Sequence, residues 1–267
     1  MARRPLYRMP VAFGPSAGPR RGPSGEGFDE AESVRTLSCE VGFVTERSAL
    51  EALLPAPFEL RGDPVVSVVA AYLSDIAWLA GRGYNVLGVY IPATHVGKAR
   101  TDGLFNAVLW ENLTDPILTG RDELGIPKIY ADIPPLDVHG ANRYTARASW
   151  MGFEFVRLSI EGRRVVESDP QAALPILSYK YVPRTGAWGD ADCEYATIVP
   201  AEDPSRRTIE CWEATGTVSF FEATWNDMPT QFHIVNALAS LPVLEVRAGR
   251  ITSSIGGKDL SDTQVLP

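Results

Sequence analysis

Runs of β-branched and aromatic residues, broken by glycine and proline, recur along the whole chain and constrain its fold more than any other feature. The longest are PVVSVVAAYL at 64–73 and YNVLGVYIPATHV at 84–96, and similar runs cover 33–44, 105–112 and 126–134. Short apolar runs bounded by turn residues are typical of buried strands. Continued along the chain, this pattern predicts roughly ten strands.

Helical patterns are few by comparison. Only the segments at 46–55, 115–125 and 228–242 have a convincing one, with Thr45 as a candidate N-cap for the first and Pro55 as its end. Many strands joined by few helices predict a single, mainly β (α+β) domain. We expect a large antiparallel sheet that is closed or highly curved, with few short helices.

The first thirty residues differ from the rest. Residues 1–30 are rich in proline, glycine and arginine and have little periodicity. They predict an extended N-terminal arm, with a disordered tail as the alternative. No linker or internal repeat divides residues 31–267, which we therefore interpret as one domain.

Charge and composition limit the classes of partner and cofactor that we expect this chain to bind. The net charge of -8 argues against nucleic acid or an anionic membrane as the main partner. The three cysteines form no CxxC pair, and no apolar run has the length of a signal peptide or a membrane span, so we expect a cytoplasmic protein. The histidines lack zinc-site spacing and no dinucleotide motif is present, so we expect no metal and no cofactor.

The most informative segment is GRDELGIPKIYAD at 120–132. It predicts a short helix that ends at a glycine, followed by a strand that carries Lys128 among apolar neighbours. Burial lowers the pKa of a lysine because it disfavours the ammonium, and a neutral amine can attack a ketone to form an imine. The alternative is a lysine at a strand end that pairs with Asp122, Glu123 or Asp132.

Several motifs resemble one known family. The pattern GR-[DE]-x-x-G-x-P-K at 120–128 resembles the signature around the Schiff-base lysine of the acetoacetate decarboxylase superfamily. Further segments resemble that family in the same order: FGPSAGPRRGP at 13–23, ALEALLPAPFEL at 49–60, YNVLGVYIPA at 84–93, SYKYVP at 178–183 and LASLPVLEV at 238–246. The resemblance implies a cone-like β-barrel, a homo-oligomer, and the Schiff-base role for Lys128.

Two departures from the family pattern bear on the reaction. True decarboxylases carry a second lysine directly after the reactive one, where this chain has Ile129, and a glutamate where it has Val86. Divergent members use the lysine for aldol and dehydration chemistry on 2-oxo acids such as pyruvate. The resemblance therefore implies a lyase acting on a small keto acid. Aldolase–dehydratase chemistry through an enamine on Lys128, with an aldehyde as co-substrate, is favoured over acetoacetate decarboxylation.

Such chemistry needs a general acid/base, for which Glu245 is our candidate. It lies in the apolar segment LPVLEV, where burial could raise its pKa. The alternative is an edge glutamate paired with Arg247 or Arg250.

A carboxylate substrate also needs a cation and a pocket wall. Arg35 is the nearest match to the family's pocket arginine. Arg121 belongs to the signature and is a second candidate, although we favour a structural role in which it braces the turn through Asp122 or Glu123. Tyr84 and Trp110 are candidates for the wall, with ordinary core or surface packing as the alternative.

A function of another class is also compatible with these patterns. A curved β-sheet around an apolar cavity can bind a small apolar ligand without catalysis. Lys128 would then be a wall residue with an ordinary pKa, and no covalent adduct with a keto acid would form.

Overall fold

A computed structural model describes residues 6–167 and 173–267, in which β-strands dominate. The strands of these residues are β1 Arg35–Val44, β2 Phe58–Leu60, β3 Val65–Ile76, β4 Arg82–Val96, β5 Arg100–Glu111, β6 Lys128–Tyr130, β7 Asp137–His139, β8 Arg143–Trp150, β9 Phe153–Val165, β10 Ile176–Pro183, β11 Ala191–Val199, β12 Arg207–Phe220, β13 Glu245–Val246, β14 Gly249–Ile255 and β15 Gln264–Val265. The α-helices are α1 Arg47–Glu51, α2 Thr114–Thr119 and α3 Phe232–Ala239. The predicted mainly β architecture with few short helices is confirmed.

All of these strands belong to one sheet. Its hydrogen-bonded path runs β15-β11-β10-β5-β4-β3-β1-β14-β12-β9-β8-β7, and β13, β2 and β6 attach to β1, β4 and β5. Most neighbouring strands are antiparallel, but β5 pairs in parallel with both β6 and β10. The sheet is therefore mixed, and the expectation that it is antiparallel throughout is wrong. The parallel β5–β6 pair forms because α2 carries the chain back between them. Within the described residues the path has two ends, β15 and β7, so the pairing does not show the closed ring of a barrel.

The predicted helix at 115–125 is made of two parts. α2 continues into a π-helical turn over Gly120–Leu124, and Gly125 ends it with a φ of 76°, a left-handed conformation that glycine adopts without steric cost. The predicted cap of α1 is wrong. Thr45 makes no capping hydrogen bond, because α1 begins one residue further along with Glu46 at the N-cap position, while the backbone N–H of Thr45 is bonded to Pro64.

The two faces of the central strands have different surroundings. On β3, Val66, Val68 and Ala70 belong to the main hydrophobic core, which also receives α3. The alternate residues Val69 and Ala71 face a cavity on the other side. Successive side chains of a strand point to opposite faces. On β1, β4 and β5, too, one set of alternate side chains therefore faces the core and the other faces the cavity.

The N-terminal segment packs against the cavity side of this sheet. Arg8 is hydrogen-bonded to Thr119 at the end of α2, and Glu30 is buried, where its carboxylate accepts hydrogen bonds from the backbone N–H groups of Ala77 and Trp78. Residues 1–5 of the predicted arm lie outside the described residues. None of the helices in the described part of the chain is long and apolar enough to span a membrane.

Candidate active site

A cavity of about 450 Å³ lies on the face of β1, β3, β4 and β5 that is turned away from the main hydrophobic core. Its walls are mostly apolar, with Val69 and Ala71 from β3 and Leu109 from β5. The N-terminal segment contributes Arg20 and Glu30 to the opposite wall. A mostly apolar pocket with a few convergent polar groups is the usual form of a small-molecule site.

Lys128 is the first residue of β6 and faces this cavity. It lies beside Leu109 in the parallel β5–β6 pair, and the residue is 6% exposed. Its Nζ lies 2.8 Å from Oε1 of Glu111 and donates to the carbonyl oxygen of Pro116 at 3.1 Å. A buried amine is thereby held in one position next to a buried carboxylate.

Gly120 makes room for this lysine. A Cβ at that position would lie 2.3 Å from Cδ and 2.4 Å from Cε of Lys128. These separations are far shorter than any normal contact, so the lysine side chain occupies the space that another residue's Cβ would fill. The glycine of the signature therefore has a physical reason: it lets the side chain of Lys128 lie directly against the turn after α2.

Glu111 is the acidic partner, and sequence reasoning missed it. It is 1% exposed, and its Oε2 has no hydrogen-bond partner among residues 6–167 and 173–267. Burial raises the pKa of the Glu111 carboxyl, an effect that the charge of Lys128 and its hydrogen bond oppose. On the neighbouring strand the residue opposite Glu111 is Val86, the position at which the family pattern has a glutamate.

Tyr84 and Trp110 have different positions. Tyr84 lines the cavity, and burial, followed by the charges of Glu111 and Glu30, raises the pKa of its hydroxyl. Trp110 is fully buried on the opposite face of β5, where its Nε1 donates to Oε1 of Gln231 at 2.8 Å. The predicted place of Trp110 in the pocket wall is wrong, because it follows Leu109 on the strand and therefore faces the core.

Glu245 is outside the cavity. It lies on β13, its side chain is 58% exposed, and its carboxylate is 3.2 Å from Arg247. The burial expected for this residue is wrong, because β13 is a short strand beside the end of β1 with both of its residues exposed.

The two predicted arginines are also away from the cavity lining. Arg35 has a side chain that is 60% exposed and lies 3.4 Å from Asp75. Arg121 braces the turn as favoured, although through the backbone: its Nη1 donates to the carbonyl oxygen of Lys128 at 2.8 Å. Of the predicted site residues, the structure thus brings Lys128 and Tyr84 together in one cavity.

Other cations line the cavity besides Lys128. Arg20 is paired with Glu123, and Lys258 donates to Asp262 and to two backbone carbonyls. Arg206 is exposed, and its Nε donates to the Ser254 hydroxyl at 3.2 Å. In the part of the chain that the structure describes, Arg206 has no acidic partner.

Comparisons with known proteins identify the family of this chain. The family model described as acetoacetate decarboxylase (ADC) matches residues 8–253. A curated acetoacetate decarboxylase of Clostridium botulinum is 24% identical over 217 residues, which are 76% of this chain and 82% of the relative.

Solved structures share the fold. An acetoacetate decarboxylase of Legionella pneumophila is 15% identical with a TM-score of 0.67, and 92% of each chain is covered. The enduracididine biosynthesis enzyme MppR, complexed with the condensation product of pyruvate and imidazole 4-carboxaldehyde, is 19% identical with a TM-score of 0.64 over 94% of this chain and 97% of its own. The family match over most of its length, together with these likenesses, shows that the chain is a lyase-type enzyme that belongs to the acetoacetate decarboxylase family.

Proposed function

We propose that this enzyme forms a Schiff base between Lys128 and a small keto acid and uses it for aldolase–dehydratase chemistry on a pyruvate-like 2-oxo acid. The observation that carries the proposal is the buried Lys128–Glu111 pair, with Nζ 2.8 Å from Oε1, on the wall of an apolar cavity. An amine and a carboxylate in this arrangement can supply both the nucleophile and the general acid/base.

Glu111 replaces Glu245 in the acid/base role that we propose. With a raised pKa, the Glu111 carboxylate accepts a proton from the Lys128 ammonium, and the neutral amine attacks the ketone carbon. The protonated Glu111 then returns that proton to the carbinolamine hydroxyl, which leaves as water and gives the iminium. The carboxylate next removes a proton from the carbon beside the iminium, and the resulting enamine attacks the aldehyde carbon.

The remaining steps restore the enzyme. The protonated Glu111 gives its proton to the new alkoxide. Its carboxylate then removes a second proton from the carbon between the iminium and the new hydroxyl, and it gives this proton to the hydroxyl as the C–O bond breaks, so that water leaves and an unsaturated iminium remains. A further water adds to the iminium carbon, and breakdown of that adduct releases an unsaturated 2-oxo acid and free Lys128. Glu111 is placed to move the protons of these steps because its Oε2 is free of other hydrogen bonds among the described residues.

Arg206 is our proposed partner for the substrate carboxylate. A carboxylate in an apolar cavity needs a cation, and Arg20 and Lys258 are already paired with acids. Arg206 also lines the cavity and offers a guanidinium without an acidic partner within the described ranges. The expected Arg35 is instead paired with Asp75 at an exposed position.

Acetoacetate decarboxylation is the second candidate, and the curated relative of that activity favours it. The same iminium would withdraw electrons while the bond to the carboxylate carbon breaks and CO2 leaves. Ile129 in place of a second lysine, and Val86 in place of the glutamate of the family pattern, lead us to prefer the aldol reaction. The MppR complex with a pyruvate–aldehyde condensation product shows that a protein of this fold holds such a product.

Product analysis tests the proposal. The purified enzyme is incubated with pyruvate and an aromatic aldehyde, and separately with acetoacetate, and the condensation product and CO2 are measured. We expect condensation product from the wild type and from Lys98→Ala, whose lysine is exposed, but none from Lys128→Ala. Full activity of Lys128→Ala would refute the imine mechanism, and CO2 release without condensation would establish the decarboxylase alternative.

A further inference from the structure

An irregularity in β5 turns one polar side chain into the cavity. The β4–β5 register pairs Val89 with Val108 and then Tyr90 with Asn106, so that Ala107 has no partner residue. Without this β-bulge, Asn106 would share the core-facing side of β5 with Val108. The bulge reverses the alternation, and Asn106 lines the cavity instead.

Asn106 is nearly completely buried there, at 2% exposure. Its Oδ1 has no hydrogen-bond partner within the described part of the chain. A buried amide without a partner is costly, and native structures rarely keep one unless something else binds it. The amide therefore indicates a place where a ligand group completes the hydrogen bonding.

Tyr90, directly across from Asn106, supplies a second polar group. Its ring lies back over Gly88: a Cβ on that glycine would be 2.7 Å from Cε2 and 2.9 Å from the hydroxyl of Tyr90. The ring thus extends along β4 from the level of Asn106 towards the level of Leu109, the neighbour of Lys128. Its hydroxyl makes no hydrogen bond to any residue in 6–167 or 173–267 and lines the same cavity.

The charge around this pair decides what it can bind. Burial, and then the charges of Glu111 and Glu40, raise the pKa of the Tyr90 hydroxyl, which therefore stays neutral. A neutral phenol and an amide offer hydrogen bonds but no positive charge, so this pair favours a neutral group over a carboxylate. A hydroxyl both donates and accepts hydrogen bonds, and it matches an amide and a phenol placed side by side.

We propose that Asn106 and Tyr90 form a second polar subsite that binds a neutral hydroxyl group on the substrate chain, beyond the keto carbon. The inference rests on the proposed function for the position of the keto group at Lys128. It names the substrate class more narrowly: a hydroxylated keto acid, or the hydroxylated product of joining a keto acid to an aldehyde.

Calorimetric binding tests the subsite without depending on the imine. Straight-chain 2-oxo acids of increasing length that end in a methyl group are each compared with the acid of equal length that ends in a hydroxyl group. The measurements use Lys128→Ala, in which no imine forms, alone and combined with Asn106→Leu, which keeps the side-chain volume, or with Tyr90→Phe. Thr36→Val, a hydroxyl removed from the β1 wall of the same cavity, is the matched control.

At the chain length that reaches the subsite, we expect the hydroxylated acid to bind about tenfold tighter than its methyl partner. Asn106→Leu should abolish this preference, Tyr90→Phe should reduce it, and Thr36→Val should leave it in place. The subsite is refuted if no length favours the hydroxyl, if the preference survives both substitutions in folded protein, or if Thr36→Val removes it equally. Borohydride trapping on the wild type separately reports the imine, so a preference without trapping would support the subsite and refute the proposed reaction.

Discussion

The substitution Gly120→Ala should lower kcat strongly while it changes the stability of the fold little. The added Cβ would lie 2.3 Å from Cδ of Lys128, whereas ordinary contact begins near 3.4 Å, so the lysine must move by about 1 Å. Its amine is fixed by contacts of 2.8 Å to Glu111 and 3.1 Å to Pro116, which a shift of that size would break. A misplacement of about 1 Å can lower a rate by about 10²-fold, and we expect a loss of kcat of that order.

The effect on folding should be small by comparison. Gly120 has helical backbone angles, φ −63° and ψ −42°, at which alanine is favoured over glycine by about 1 kcal/mol. This gain offsets part of the strain around Lys128. The assay compares kcat and the melting temperature of Gly120→Ala with those of Gly27→Ala, an exposed position where a Cβ meets nothing within 4 Å. A folded Gly120→Ala with wild-type kcat would refute the role assigned to this close contact.

Four further outcomes follow. Activity should fall with decreasing pH as Glu111 becomes protonated, and this fall should occur above the ordinary pH range for glutamate because burial raises the pKa of Glu111. Glu111→Gln should remove the acid limb of the pH–rate profile and lower kcat by about 10²–10⁴-fold. Glu245→Gln should leave the pH–rate profile and kcat unchanged, because its carboxylate is exposed and lies outside the cavity. Trp110→Phe should lower the free energy of unfolding by about 1–3 kcal/mol with KM unchanged, since it leaves the Gln231 acceptor unpaired in the core. A thiol reagent should label Cys193 first in the folded protein and all three cysteines in denaturant, because the other two are buried.

The local part of the site could be predicted from the sequence. The helix, the exit at Gly125 and the lysine strand follow one another within a few residues, and backbone preferences and turn residues fix such short segments. The predicted position of Lys128 on a strand after a turn is confirmed. The need for a glycine at position 120 could not be predicted, because it depends on where the side chain of Lys128 lies.

The non-local part could not be predicted in the same way. Glu111 approaches Lys128 only because β6 returns in parallel to β5, and a sequence does not state that register. The predicted face of Trp110 is wrong because the sequence does not show which residues of β5 point to the core. The bulge at Ala107, which reverses the alternation for Asn106, depends on pairing with a neighbouring strand and has no signal in the residues themselves.

The segment LPVLEV shows that an apolar pattern alone does not establish burial. LPVLEV is apolar, yet Leu244 and Val246 are exposed together with Glu245. An apolar run indicates burial only when another element covers it, and for β13 no such element is present among the described residues of this chain.

The most direct test of the central claim is borohydride reduction in the presence of pyruvate, followed by peptide mass mapping. The chain has four lysines, so the modified one can be identified without ambiguity. We predict a reduced adduct on Lys128, with Lys98, Lys180 and Lys258 unmodified, and no adduct on the remaining lysines in Lys128→Ala. A folded sample that gives no adduct with pyruvate or acetoacetate, or an adduct on another lysine, would contradict the imine mechanism.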